Sequence, residues 1–273
     1  MALHDEAAHM QQLLDRLAHA ASGVVHRLWQ SSGGDPDLLE QHYPAAVTPF
    51  ISAASGLGAQ WYHQQAPELG FAARTLPPPP PDQLADSVRY AFGAPPPAGV
   101  SVFSTLSQEH RSPFQDLSQS TDRHVYNGNR DTVTYNANRE NVMYARYASS
   151  TACAFCRLLA TRAPVYSSKG VVTDPKTGTQ KLVVIGGRSS SKRKPGTDYH
   201  DNCKCLAVPV RPGASYEPPD YVNEWKDQYD AAMSDPDTHT LDEIVNHMRR
   251  QQYAADKAAG TLPKRTAKPN TPE

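Results

Sequence analysis

The stretch TDYHDNCKC, residues 197–205, sets a histidine and two cysteines within six positions of a 273-residue chain that has four cysteines in all. The other two, Cys153 and Cys156, stand upstream in TACAFCRLL, so the soft donors read C-x-x-C, about 43 intervening residues, then H-x-x-C-x-C. A zinc ion takes four such donors in a tetrahedron, at ~2.3 Å to sulfur and ~2.0 Å to imidazole nitrogen. Cys153 and Cys156 fall on one face of a first helical turn. Cys203 and Cys205 share a side of an extended segment, where side chains alternate, and His200 reaches the same place from the turn before them. Five candidates for four positions leave one spare, and the sequence does not say which. A disulfide or redox pair, and plain packing of small apolar thiols, are the alternative uses. If metal binds, every ligand comes from the protein, and the site is closed and structural. Its work is to tie helix to strand across a long insertion.

Enzymatic chemistry has less to stand on. The chain contains neither a G-x-S-x-G elbow nor an H-E-x-x-H pair. A cysteine nucleophile at Cys153 or Cys156 with His200 as base satisfies the chemistry of covalent catalysis, but the same side chains serve better as ligands, and no catalytic residue is assigned. A second candidate contact is RSSSKRK, where Arg188, Lys192, Arg193 and Lys194 could meet nucleic-acid phosphates; the plainer reading is a solvated loop. The interval between the cysteine pairs exceeds what zinc knuckles use.

The bulk numbers narrow the class. A formal net charge of -1 excludes a globally basic nucleic-acid coat. No apolar run approaches the ~18 residues of a membrane span, so no membrane partner is expected. The start, MALHDEAAHMQQ, lacks the basic and apolar regions of a signal peptide, so export is not expected and the cysteines fit a reducing compartment.

The elements that must position the donors give an α+β chain. Leu3, Met10, Leu14, Leu17, Ala21, Val24 and Leu28 trace one apolar seam on a helix to Trp29, which SSGGDP stops. That seam packs on a neighbouring helix, or docks another subunit. A second helix is expected from about Pro44 to Gln65, weakened by Pro49, Gly56 and Gly58. Together these form an N-terminal helical region, 1–65. Proline clusters at 77–81 and 95–97 make 66–99 a stiff connector around a short amphipathic segment. A module over 100–211 follows. It begins with a helix to about Val125 and a polar loop through RHVYNGNRDTVTYNANREN. A short strand then holds Val142, Tyr144 and Tyr147, and the C-x-x-C opens a helix. Val171–Thr173 and Lys181–Ile185 read as a hairpin, and LAVPV as a strand. Helices over 212–260 follow, the second opened by Thr240 and Glu243 as a capping box, and a disordered tail covers 261–273.

HDNCKC, with an upstream C-x-x-C, the YARYASS strand and a hairpin insertion between, resembles the C-terminal module of the phage Mu F-like minor head proteins, which closes on H-x-N-C-x-C. The likeness rests on His200, Asn202, Cys203 and Cys205 and spans 100–211. It implies a minor capsid protein of a tailed phage, associated with the portal protein and inner capsid surface, and in some members with packaged DNA. The place implied is the virion head, and the host cytoplasm during assembly. The Ala, Pro, Arg and Asp-rich style points to a high-GC host and the actinobacteriophage type. Relatives of that type are sometimes labelled capsid maturation protease, which makes cleavage of scaffold or capsid proteins the alternative function.

Overall fold

The computed structural model describes residues 2–94, 112–161, 171–173, 180–182, 203–236, 238, 240–258 and 260. In chain order its elements are α1 (Leu3–Ser32), α2 (Pro36–Gln64), α3 (Pro81–Ala91), α4 (Pro113–Glu140), β1 (Met143–Tyr147), α5 (Ala154–Ala160), β2 (Val171–Thr173), β3 (Gln180–Leu182), β4 (Leu206–Val210), α6 (Tyr221–Ser234) and α7 (Leu241–Ala258). The fold is α+β, mostly helical, with two small antiparallel pairs.

α1 turns a stripe of Ala7, Met10, Leu14, Ala18, Ala21 and Val25 inward, as helical spacing requires. It ends at Gly33, whose φ of 64° is easy only without a Cβ. The chain restarts at once. Asp35 accepts the backbone N–H groups of Asp37 and Leu38 at 2.9 and 3.1 Å, with Pro36 in the first turn. The helix expected from Pro44 therefore begins at Pro36, because SSGGDP is a stop and a start in one stretch.

α2 and α4 cross at backbone distance. A Cβ on Gly58 would lie 2.9 Å from the Asn129 carbonyl oxygen, and one on Gly128 would lie 2.8 Å from that of Ile51. The Ser55 hydroxyl donates to the Gly128 carbonyl at 3.1 Å across the same crossing. Glycine is needed on both helices to let them meet this closely.

The polar loop expected after Val125 is instead the second half of α4, which runs unbroken to Glu140. Asn129, Arg130, Thr132 and Asn136 face inward, and polar residues along this half bind backbone from other segments. Asn136 binds the Arg74 peptide on both sides, accepting its N–H at 2.8 Å and donating to its carbonyl at 2.8 Å. Thr132 accepts the Leu76 N–H at 3.3 Å, and Arg139 donates to the Ala72 carbonyl at 3.2 Å. The stretch expected as a stiff connector over 66–99 is described as far as residue 94. Along that length it is fastened to the helical body. Its amphipathic segment is α3, which buries Leu84, Val88 and Ala91 with Val25, Leu39, Tyr43, Val47, Ile51 and Leu117.

β1 pairs with β4, Tyr147 opposite Leu206 and Met143 opposite Val210. β2 pairs with β3, Val171 opposite Leu182; residues 183–185 of the expected second run lie outside the described residues. Leu14, Tyr126, Val133, Tyr144, Leu158, Leu206, Val208, Trp225 and Met248 belong to one apolar cluster, so α1, α4, the β1–β4 pair and the C-terminal helices share a core. Glu140 and Arg211 clamp the end of α4 to the end of β4 through two hydrogen bonds of 2.7 and 3.0 Å, and the Tyr62 hydroxyl donates to the same carboxylate. The C-terminal helices fold back over α5. Tyr221 donates to the Ala148 carbonyl at 2.8 Å, and Arg157 stands 5.1 Å from the Trp225 ring. The Thr240–Glu243 box is formed, with bonds of 2.7 and 3.3 Å.

Gly128→Ala is expected to lower unfolding free energy by about 2–3 kcal/mol, since the new methyl meets a backbone oxygen that cannot rotate away. Urea denaturation checks this, and an unchanged midpoint would disprove the backbone-level crossing.

Candidate metal centre

α5 starts from a turn that Arg157 holds together, donating to the carbonyls of Ala152 at 2.7 Å and Ser150 at 3.2 Å. Cys153 is the residue immediately before the helix and Cys156 the third within it. Cys153 occupies the N-cap position without a side-chain capping bond. On the far side of the site, residues 203–205 are extended and lead into β4. Their carbonyls precede the strand ladder and take side-chain donors instead. Arg130 of α4 donates to Cys203 at 2.8 Å and to Cys205 at 3.3 Å, and Gln11 of α1 donates to Lys204 at 2.7 Å. Lys204 points outward to Asp15, 2.6 Å away. The alternation then turns Cys203 and Cys205 inward together, as expected of an extended segment.

The thiols of Cys156, Cys203 and Cys205 are buried and their sulfurs lie within 4.8 Å of one another, the Cys156 and Cys203 sulfurs 3.4 Å apart. Sulfurs bound tetrahedrally to one ion at ~2.3 Å stand ~3.8 Å apart. The cluster brackets that spacing, so these three residues could hold a metal ion. Cys153 is exposed and stands outside the triangle, with its thiol hydrogen-bonded to that of Cys156. His200, and Arg188, Lys192, Arg193 and Lys194, lie outside the described residues. The four cysteines form no disulfide.

Hydrogen bonds from Cys153, Cys203 and Cys205, then burial, push the Cys156 thiol well above its usual range. For Cys205 the bond with Cys156 pulls down, but Cys203 and burial outweigh it and push the thiol up; the Arg146 charge opposes them. Both effects favour the protonated forms of Cys156 and Cys205, and an ion bound by those sulfurs would displace the protons.

Sequence reading missed the support. Gln11, Arg130 and Arg146 are all buried, Arg130 completely so. One signal was available for Arg130: Tyr126, Arg130, Val133 and Ala137 step by four, three and four, so the arginine occupies a place in an inward stripe.

A serine–histidine pair also exists, away from the thiols. Ser87 Oγ of α3 lies 2.8 Å from His124 Nε2 of α4, but Ser87 has no exposure, so no substrate reaches the hydroxyl. The pair joins two helices.

The helical body and thiol module together define an α+β chain organised around a cluster of soft donors, with no described helix long and apolar enough to cross a membrane. The chain belongs to the VG15 protein family, whose model matches residues 1–232, and this is a phage-associated family. No curated protein and no solved structure matches the chain. The family match takes in α1 to α5, the cysteines and most of α6, and leaves α7 outside.

Burial pushes the His124 imidazole down to about 3, with the Arg123 charge adding to the effect. Above the unfolded value of ~6.5 both states are neutral and stability is full. Below it the unfolded chain takes the proton first, so this group's contribution falls by up to about 1.4 kcal/mol per pH unit toward pH 3. His124→Gln should flatten that acid limb in denaturation midpoints measured from pH 7 to 4; an identical slope would show that other groups set it.

Proposed function

We propose that the chain is a minor capsid protein of a tailed phage, seated at the portal and the inner capsid surface, with a zinc ion stapling its thiol module. The observation that carries this reading is the family match across 1–232, which runs through the helical body and all four cysteines. The H-x-N-C-x-C ending at His200, Asn202, Cys203 and Cys205 adds the resemblance to Mu F-like minor head proteins. Three thiols are soft donors of the kind zinc takes in structural sites. Their burial suits a staple better than an open catalytic position, and the pairing of β1 with β4 supplies what is stapled. Contact with packaged DNA through Arg188, Lys192, Arg193 and Lys194 belongs to the same proposal.

Quantitative mass spectrometry of purified virions should find the chain at a few copies per particle, cross-linking to the portal protein. Its absence from mature particles would overturn the structural role and favour an assembly protease. Metal analysis of the purified protein should return about one zinc per chain. A metal-free protein with four titratable thiols in the folded state would remove the staple.

A further inference from the structure

We propose that Cys153 is the fourth ligand of the thiol centre, making it a four-thiolate site whose negative charge is offset by the buried guanidinium groups of Arg130 and Arg146. This rests on the metal reading above and goes one residue and one charge balance beyond it.

The geometry points to Cys153 first through its place in α5. It precedes the helix by one position, with φ -68° and ψ 161°, and Cys156 is the third helical residue. Side chains at those two positions lie near one another at the first turn, close enough that in a capping box each reaches the other residue's backbone N–H. Here the meeting is between sulfurs, since the Cys153 thiol hydrogen-bonds that of Cys156. The Cys153 side chain takes no part in capping the helix backbone. Cys153 can therefore serve as a ligand without a helix cap being lost. Among the described residues no histidine or carboxylate joins that triangle. The exposure of Cys153 also gives an ion a way into a cluster whose other thiols are buried.

Charge supplies the second argument. A divalent ion with four thiolates carries two negative charges, and with three thiolates and an imidazole it carries one. Two arginines, always protonated, are buried beside the centre at 0% and 1% exposure. Arg130 donates to the carbonyls of Cys203 and Cys205, and the Arg146 charge acts on Cys205. Buried positive charge is stabilised by negative charge close at hand, and a four-thiolate complex matches two guanidinium groups.

Cobalt(II) titration of the full chain tests the assignment, because sulfur-to-cobalt charge-transfer absorption counts thiolates. His200→Ala should reproduce the parent spectrum and affinity. Cys153→Ser, at an exposed position, should fold with unchanged circular dichroism, bind cobalt more weakly and keep about three quarters of the charge-transfer intensity, as three of four thiolates require. Arg146→Met should keep the four-thiolate spectrum and lose about tenfold or more in affinity. A spectrum altered by His200→Ala and untouched by Cys153→Ser would overturn the ligand assignment while leaving the metal reading intact. Undiminished affinity in Arg146→Met would overturn the charge assignment. A parent protein that binds no cobalt would remove the metal reading, and this proposal with it.

Discussion

Buried peptide groups must be hydrogen-bonded, and the segment leading into β4 meets that demand with side chains from two other elements. The carbonyls of Cys203 and Cys205 receive Arg130 from α4, and that of Lys204 receives Gln11 from α1. Much else follows from this arrangement. With the backbone fixed at 203, 204 and 205, alternation along the segment puts both cysteines on the buried side and Lys204 on the exposed one. α1 and α4 must lie side by side to reach consecutive residues, and the close α2–α4 crossing at Gly58 and Gly128 secures α4 in that place. The helical body is therefore the scaffold on which the thiol cluster is aligned, which explains why one family match runs through both.

The parts of this fold that were legible in the sequence are those with local chemistry. The seam of α1, the β-branched runs of the hairpin, the strand at LAVPV and the capping box of α7 each carry their own signal within a few residues. So does the C-x-x-C, whose spacing belongs to a helical start. What the sequence hid was burial of polar residues. Asn129, Arg130, Thr132 and Asn136 read as a loop, yet each is wholly buried in α4. Their composition suggests water because their partners, Ala54, Cys203, Leu76 and Arg74, lie 56 to 75 residues away in the chain. Hydrogen bonds over such intervals leave no periodic trace. Asn136 and Thr132 reach the backbone of Arg74 and Leu76, just ahead of the proline run at 77–81, over intervals of the same kind.

The candidate centre was legible as a set of residue types and was incomplete as a site. Spacing alone brought the cysteines into consideration, and the fold brings three of them within reach of one another. The two arginines went unnoticed because a charged residue inside an apolar stripe is usually discounted. Here Arg130 binds the backbone of Cys203 and Cys205 and the Arg146 charge acts on Cys205, where a compact group of sulfurs around a cation would need compensating charge.

The pairing of β1 with β4 has a further consequence. Cys156 and Cys203 stand 47 positions apart in the chain and their sulfurs lie 3.4 Å from one another, so the first turn of α5 and the segment before β4 are brought together in space. An ion bound to both cysteines would cross-link positions 47 apart in the unfolded chain and remove roughly 4 kcal/mol of its entropy, by analogy with a disulfide. Either end of that interval is then held by the other, with the β1–β4 ladder beside it keeping both in register with the helical body.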